Sequence, residues 1–302
     1  MAVAGALAGA LTIAFSAILV ALAEVEPAVA AVYRCLYALP ALGLLAYLER
    51  RRHGPRTAAQ RRLALATGPL FAANLVLWHH AIEDVGAGLA TVLGNLQVVV
   101  VAFGAWAFLG ERPARRTLAA LPIALAGVVL ISGVLEGGAY GRDPARGVIF
   151  GLLTGIAYGG FILVLRHGNR ELNRPAGPLF DITLSASVSA ALIGLAIGET
   201  DLVPRWPAHG WLLVLALTSQ VFGWMLISVS LPRLPAALGG LLLTLQPVGS
   251  VALGVVLLAE APTALQLAGT ACILAGLVTG AARPRGREPP PQLQARPLRV
   301  DQ

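Results

Sequence analysis

The chain has no lysine, little charge and almost no sulfur chemistry. All 22 of its basic residues are arginine, charged residues make up 12% of its 302 positions, and there are two cysteines and two methionines. Cys35 and Cys272 lie in separate apolar stretches without companion ligands, which excludes a disulfide framework or a zinc cage and leaves them as small packing residues. No phosphate-cradling glycine loop, nucleophile elbow or zincin helix occurs, and no acid, base and nucleophile gather at one depth, so an enzyme is not expected. What remains is 57% hydrophobic residues at a mean hydropathy of +0.77, too little polar surface to cover a soluble body.

The solvent is therefore a bilayer, and the fold class expected is all-α and membrane-integral. A spanning helix takes roughly 20 apolar residues. The hydropathy predicts ten such spans, at 4–23, 28–48, 65–82, 87–108, 115–133, 147–166, 178–197, 211–230, 236–258 and 264–281. Strands are excluded because stretches such as 239–258 are apolar on every face, without the alternation a barrel strand needs. The first span lacks a basic leading segment and reads as part of the bundle, not as a cleaved signal peptide. With the N-terminus in the cytoplasm, eighteen arginines fall on inner loops and the tail, among them the run from Arg50 to Arg62, and three (Arg142, Arg146, Arg205) fall outside. That asymmetry follows the positive-inside rule, so both termini are expected in the cytoplasm and the net charge of +7 needs no nucleic acid to explain it. The Pro/Arg-rich tail, 282–302, is expected to be disordered.

The chain also repeats itself. Residues from Ala87 to Val129 recur from Ala236 to Val278 at a constant offset of 149: Leu96-Gln97 returns as Leu245-Gln246, Glu111-x-Pro113 as Glu260-x-Pro262, and Leu125-Ala126-Gly127 as Leu274-Ala275-Gly276. Gly9-Ala10-Leu11-Thr12 is echoed by Gly151-Leu152-Leu153-Thr154, and Pro27-Ala28 by Pro175-Ala176. Two five-span halves are expected, at 1–134 and 147–281. Because five is odd, the second half enters from the opposite side, an inverted repeat of the kind on which secondary transporters are built.

Taken together, the two five-span halves, Arg34 at the start of the second span, the Gly110-Glu111 and Ala259-Glu260 junctions, and the small-residue helices ending in Ala126-Gly127 and Ala275-Gly276 resemble the ten-helix EamA-type transporters of the drug/metabolite transporter superfamily. The resemblance covers nearly the whole chain. Only Ala259 departs from the pattern, where glycine is commoner. The resemblance implies export or exchange of small metabolites through a central cavity walled by the third, fourth, eighth and ninth helices.

Polar side chains at mid-bilayer are costly, so their positions point to function. Asn74, Gln97, Gln220 and Gln246 fall near the middle of those same four spans. Either they are interhelical glue or they line a cavity. Asn74 and Trp78 are four residues apart, as are Gln220 and Trp224, so each amide shares a helix face with an indole. Thr91 with Asn95, and Gly240 with Thr244, extend the set, and Tyr158 follows the Gly151-Thr154 echo. An amide beside an indole suits an amino-acid-like or amine solute. Pro247 removes a backbone donor in the second half alone, its counterpart being Val98, and predicts a kink there.

Arg34 is expected either to anchor the outer end of its span, paired with Glu24 or Glu26, or to act as an outer gate or a contact for a substrate carboxylate. Asp181, its pseudo-equivalent, is expected to pair with Arg166, Arg170 or Arg233. His79, His80, Glu83 and Asp84 carry metal-ligand types at helical spacing, but the pairs lie on adjacent faces; a solvated helix end is expected, with proton relay through the histidines as the alternative. The function expected is a secondary carrier of a small metabolite in the cell (inner) membrane, with a carrier of lipophilic cations or a non-transporting scaffold as rivals. Neither a cofactor nor a metal is expected. Its partners would be a small-molecule substrate and the bilayer, and a homodimer fits the sequence.

Overall fold

A computed structural model describes residues 2–110, 115–132, 135–168, 174–230 and 245–281. The Glu111-x-Pro113 junction, Arg170, Arg233, Gly240, Thr244 and the 282–302 tail lie outside the described residues.

Every regular element among the described residues is helical. The first span is two helices, α1 (Ala2–Ala14) and α2 (Ser16–Ala23), interrupted at Phe15. Then follow α3 (Pro27–His53), α4 (Ala58–Val85), α5 (Ala87–Gly94), α6 (Gln97–Leu109), α7 (Arg115–Ile131), α8 (Pro144–Gly168) and α9 (Ala176–Ile197). The next segment is built from α10 (Ala208–Leu215), a π-helical stretch π1 (Ala216–Gly223) and α11 (Trp224–Ser230), and the chain continues with α12 (Leu245–Leu257) and α13 (Ala264–Ala281). Among the described residues, six helical segments are long and apolar enough to cross a membrane: Ala2–Ala23, Pro27–His53, Ala87–Phe108, Pro144–Val164, Ala176–Ile197 and Ala208–Ser230. Leu121–Ile131, Leu245–Leu257 and Ala264–Gly276 are shorter apolar stretches. The protein is thus a multi-pass membrane protein with two-repeat architecture.

α3 and α4 run beyond the spans hydropathy set for them, because capping carries the backbone ladder into the polar zone. Pro27 opens α3 at a position where no amide hydrogen is needed, and Arg50 to His53 sit in its last turn against the negative end of the helix dipole. α4 begins with a capping box: Gln60 N donates to Thr57 Oγ1 at 3.3 Å and Thr57 N to Gln60 Oε1 at 3.0 Å. It ends at Gly86, whose φ of 91° only glycine adopts freely and which turns the chain into α5.

Helix contacts repeat when the halves are exchanged. α4 packs on α8 as α10 and α11 pack on α2 and α1; α5 and α6 pack on α8 as α12 packs on α1 and α2; α3 meets α9, α5 meets α12 and α7 meets α13. The α7–α13 crossing is tight: a Cβ on Gly127 would stand 2.6 Å from Gly269 O, and one on Gly269 equally close to Gly127 O. The core holds mostly alanine, leucine and valine, and the outer faces are apolar too, with Ile149, Leu153 and Ile156 on α8 and Val188, Leu192 and Leu195 on α9 all exposed. In water such stripes would aggregate; in lipid they are the ordinary surface.

Candidate functional site

Where the halves meet, the helices leave a cavity of about 70 Å³. The first half contributes Ser16, Arg34, Phe71, Asn74, Trp78, Thr91 and Asn95; the second contributes Thr154, Tyr158, Trp224 and Gln246. Asn74 and Trp78 reach it from one face of α4, as their spacing requires. Asn95 stands at the break between α5 and α6, with its Nδ2 donating to Thr91 O at 2.8 Å, while Thr91 Oγ1 returns to Ala87 O at 2.8 Å. The rings form one wall: Trp224 meets Phe71 and Tyr158 edge-on at centroid separations of 6.0 and 6.3 Å, and Tyr158 stacks on Phe161 at 5.9 Å.

Arg34 is the correction of greatest consequence. It is only 3% exposed, and its recorded partner is neither Glu24 nor Glu26. Its Nε donates to Gln220 Oε1 at 3.1 Å, its Cζ lies 5.8 Å from the centre of the Trp78 ring, and its Nη1 is buried without a partner. Glu26 instead accepts from Asp201 N. Snorkelling fails because α3 starts at Pro27, so Arg34 sits two turns inside the helix, facing the opposite half.

Gln220, fully buried, is held by this guanidinium and by Thr183 Oγ1, to which its Nε2 donates at 3.2 Å. It does not line the cavity with Trp224. It lies inside π1, where i→i+5 bonding alters the register that a regular helix would have given the two residues. Gln97, at the start of α6, also stays off the cavity, and its Oε1 is buried with no partner. Pro247 is buried near the start of α12; the limb preceding it lies outside the described residues. The first half carries a break that no proline announces, at Asn95 and Leu96.

The histidines diverge. His79 Nδ1 donates to Pro27 O at 2.9 Å while its Nε2 is buried without a partner. His80 faces away, 3.2 Å from Glu199 Oε1 and stacked on Phe150. Among the described residues no group of three His, Cys, Asp or Glu side chains converges as a metal would require. Asp181 Oδ2 takes Arg56 Nη1 at 2.7 Å, from the α3–α4 connection, and Arg61 Nε at 3.6 Å, from the first turn of α4; the side chains of Arg166, Arg170 and Arg233, the partners expected for it, lie outside the described residues.

Carboxylates gather at both ends of the bundle. Glu49, at the end of α3, accepts from Ala176 N and Gly177 N at the start of α9 (2.9 and 2.8 Å); Glu199, just past α9, accepts from Ala28 N at the start of α3 at 2.7 Å. The two helices therefore run antiparallel and cap each other. Glu260 accepts from Ala87 N at 2.5 Å and Gly88 N at 3.2 Å, in a cradle of Gly86, Gly88 and Gly254. Burial raises its pKa more than those amides lower it. Burial would also raise Asp84, at the end of α4, but hydrogen bonds and charge from Arg146, then Arg142, outweigh it and hold the carboxyl below its ordinary range. A cleft of about 580 Å³ opens beside Glu260 and Arg142, and one of about 300 Å³ beside Glu49 and Asp181.

Ser16, Phe71 and Thr154 were not foreseen as cavity residues, although Thr154 belongs to the quoted repeat echo. Glu49 and Glu199 carried no local signal; each caps the echoed Pro-Ala helix start of the opposite half, 127 and 171 positions away.

A family profile described as the EamA-like transporter family matches residues 1–133 and again 145–279. A solved crystal structure 16% identical in sequence superposes with a TM-score of 0.62, covering 92% of this chain and 95% of that one, and so shares the fold. A search of curated proteins gave no match.

Proposed function

Because the chain belongs to the EamA-like transporter family, whose members are membrane transporters of small molecules and not enzymes, we propose that it is a secondary carrier of a small metabolite of the amino-acid or amine class. It works by alternating access of one half against the other, through ten spans with both termini in the cytoplasm of a cell whose inner membrane it occupies. Export or exchange is the direction.

One observation carries the reading: both halves contribute polar and aromatic side chains to a single small hollow, narrower than the clefts at either end. A packing defect would be lined with apolar groups. Here Asn74, Thr91, Asn95, Thr154 and Gln246 supply donors and acceptors, and Phe71, Tyr158 and Trp224 an aromatic wall, the composition of a solute site. Gln97 belongs to the proposal as a residue met in another state, and Thr244, outside the described residues, belongs to it by its four-residue spacing from Gly240. A lipophilic cation is less well served, because Arg34 already covers the face of Trp78.

Counterflow in proteoliposomes, run against amino acids, amines, purines and sugars with and without a pH gradient, tests this. Exchange of one solute class is expected, reduced at least about tenfold in Asn74→Ala, the loss of one well-placed contact. Absence of flux for every class, with folded protein in the vesicles, would leave the scaffold reading standing instead.

A further inference from the structure

Among the described residues, Arg34 is a cation buried without an anion. Its recorded hydrogen-bond partner, Gln220, is neutral, its Nη1 has none, and no Asp or Glu lines the cavity among the described residues. Keeping a dehydrated guanidinium beside neutral groups is costly, and proteins retain such an arrangement where a ligand completes it. The residue is also preset: Thr183 accepts from Gln220 Nε2, which turns Gln220 Oε1 toward Arg34 Nε, and the Trp78 ring backs the guanidinium plane.

We propose that Arg34 is the recognition residue for a carboxylate on the transported solute, with Gln220 as its positioning residue. This rests on the carrier reading and narrows it to solutes bearing one carboxylate and a small apolar body. A guanidinium matches a carboxylate by paired, charge-assisted hydrogen bonds, which the substrate brings and the protein lacks. The rest of the lining is uncharged, so a phosphate dianion would go half neutralised. An amine without a carboxylate meets a fixed positive charge. For a zwitterion, the side-chain carbonyls of Asn74, Asn95 and Gln246 are the acceptors open to the ammonium.

The test compares leucine and 4-methylpentanoate with leucinamide and 3-methylbutylamine, reading thermal protection of the purified protein and counterflow in proteoliposomes. The two carboxylates are expected to protect the protein and the amide and amine to fail. Arg34→Gln should abolish the distinction. Should that variant not fold, Gln220→Glu decides the matter. It sets an internal carboxylate against Nε, and is expected to melt at or above the temperature of the unaltered protein while binding 4-methylpentanoate at least about tenfold more weakly. Carboxylates that give no protection, an amide or amine that protects as well, or a Gln220→Glu protein that binds carboxylates undiminished would each overturn the assignment. If the amine is carried and the carboxylates are not, the carboxylate subsite falls while the carrier stands. Carboxylates that bind but never cross leave the subsite standing and remove the carrier.

Discussion

The ends of this bundle and its middle treat charge in opposite ways. At the ends the buried carboxylates Asp84, Asp181 and Glu260 and the half-buried Glu49 and Glu199 all have partners: Glu49, Glu199 and Glu260 take helix N-terminal amides, Asp84 takes two arginines and Asp181 takes Arg56 and Arg61. In the middle, Arg34 has a neutral amide, and the polar atoms Arg34 Nη1 and Gln97 Oε1 are buried unpaired. Paired charge holds helices in place; unpaired polarity costs stability and persists where function uses it. The ends are therefore read as structure and the middle as site.

The largest effect should come from worsening the middle. Gln220→Leu strips the guanidinium of its recorded acceptor and leaves Thr183 facing a methyl group, at an expected cost of about 3 kcal/mol. Melting temperature in detergent measures it. A loss no greater than the average interhelical hydrogen bond, about 0.6 kcal/mol, would mean that Arg34 finds water or another partner and that the contrast between middle and ends is overstated.

Next come the carboxylate caps, where the number of amides served sets the order. Glu260→Ala frees two buried donors and leaves space in a glycine cradle, about 2 kcal/mol; Glu49→Ala, also serving two amides, about 1.5; Glu199→Ala, serving one because Pro27 has no amide hydrogen, about 1. Gly254→Ala should mimic Glu260→Ala, since its methyl would collide with the carboxylate. Equal losses at Glu49 and Glu199 would show that the dipole, not the count of amides, governs these caps.

Much of this was legible from the residues alone. Spans follow from hydrophobic length, and the α3–α9 and α7–α13 pairings follow from a repeat that places equivalent helices across an axis. Asn74 and Trp78 face the cavity together because four-residue spacing on a regular helix fixes a shared face, and Thr91, Asn95, Tyr158, Trp224 and Gln246 line it as well. The misses lie where that regularity fails. π1 turns Gln220 out of the wall, and the α5–α6 break has no proline to announce it, only the weaker helix-stop pair Gly94-Asn95. Arg34 was given partners near in sequence, Glu24 or Glu26, whereas Gln220 lies 186 positions away, a separation that only tertiary packing closes; Arg56, 125 positions from Asp181, is likewise a partner that no sequence spacing offered.

A smaller effect separates two paired carboxylates. Asp84 titrates below its ordinary 3.8, so the stability it adds is present above that pH and is lost as pH falls through the lowered value. Glu260 titrates above its ordinary 4.5, so its contribution is whole below that pH and declines as pH rises through the raised value. Asp84→Asn should flatten the acid limb of a stability profile in detergent and Glu260→Gln the decline above pH 4.5. Limbs that move together would tie both groups to a single opening of the same end.

The smallest change in stability, and the finest cut through the comparison, is Gln97→Met. Gln97 and Gln220 are both amides buried in the middle, but Gln220 bonds on both sides while Gln97 Oε1 bonds to nothing. Replacing an unsatisfied amide with an apolar chain of similar volume removes a desolvation cost and adds no cavity, so the variant should melt at or slightly above the parent, by up to about 1 kcal/mol. Flux should nonetheless fall severalfold, because an orphaned acceptor in the interior of a two-state carrier is one whose partner arrives in the other state or with the solute. Gain in stability with loss of flux is a combination that passive glue cannot produce, since glue would lose stability when removed. Unchanged flux would return Gln97 to the structural ends of the comparison.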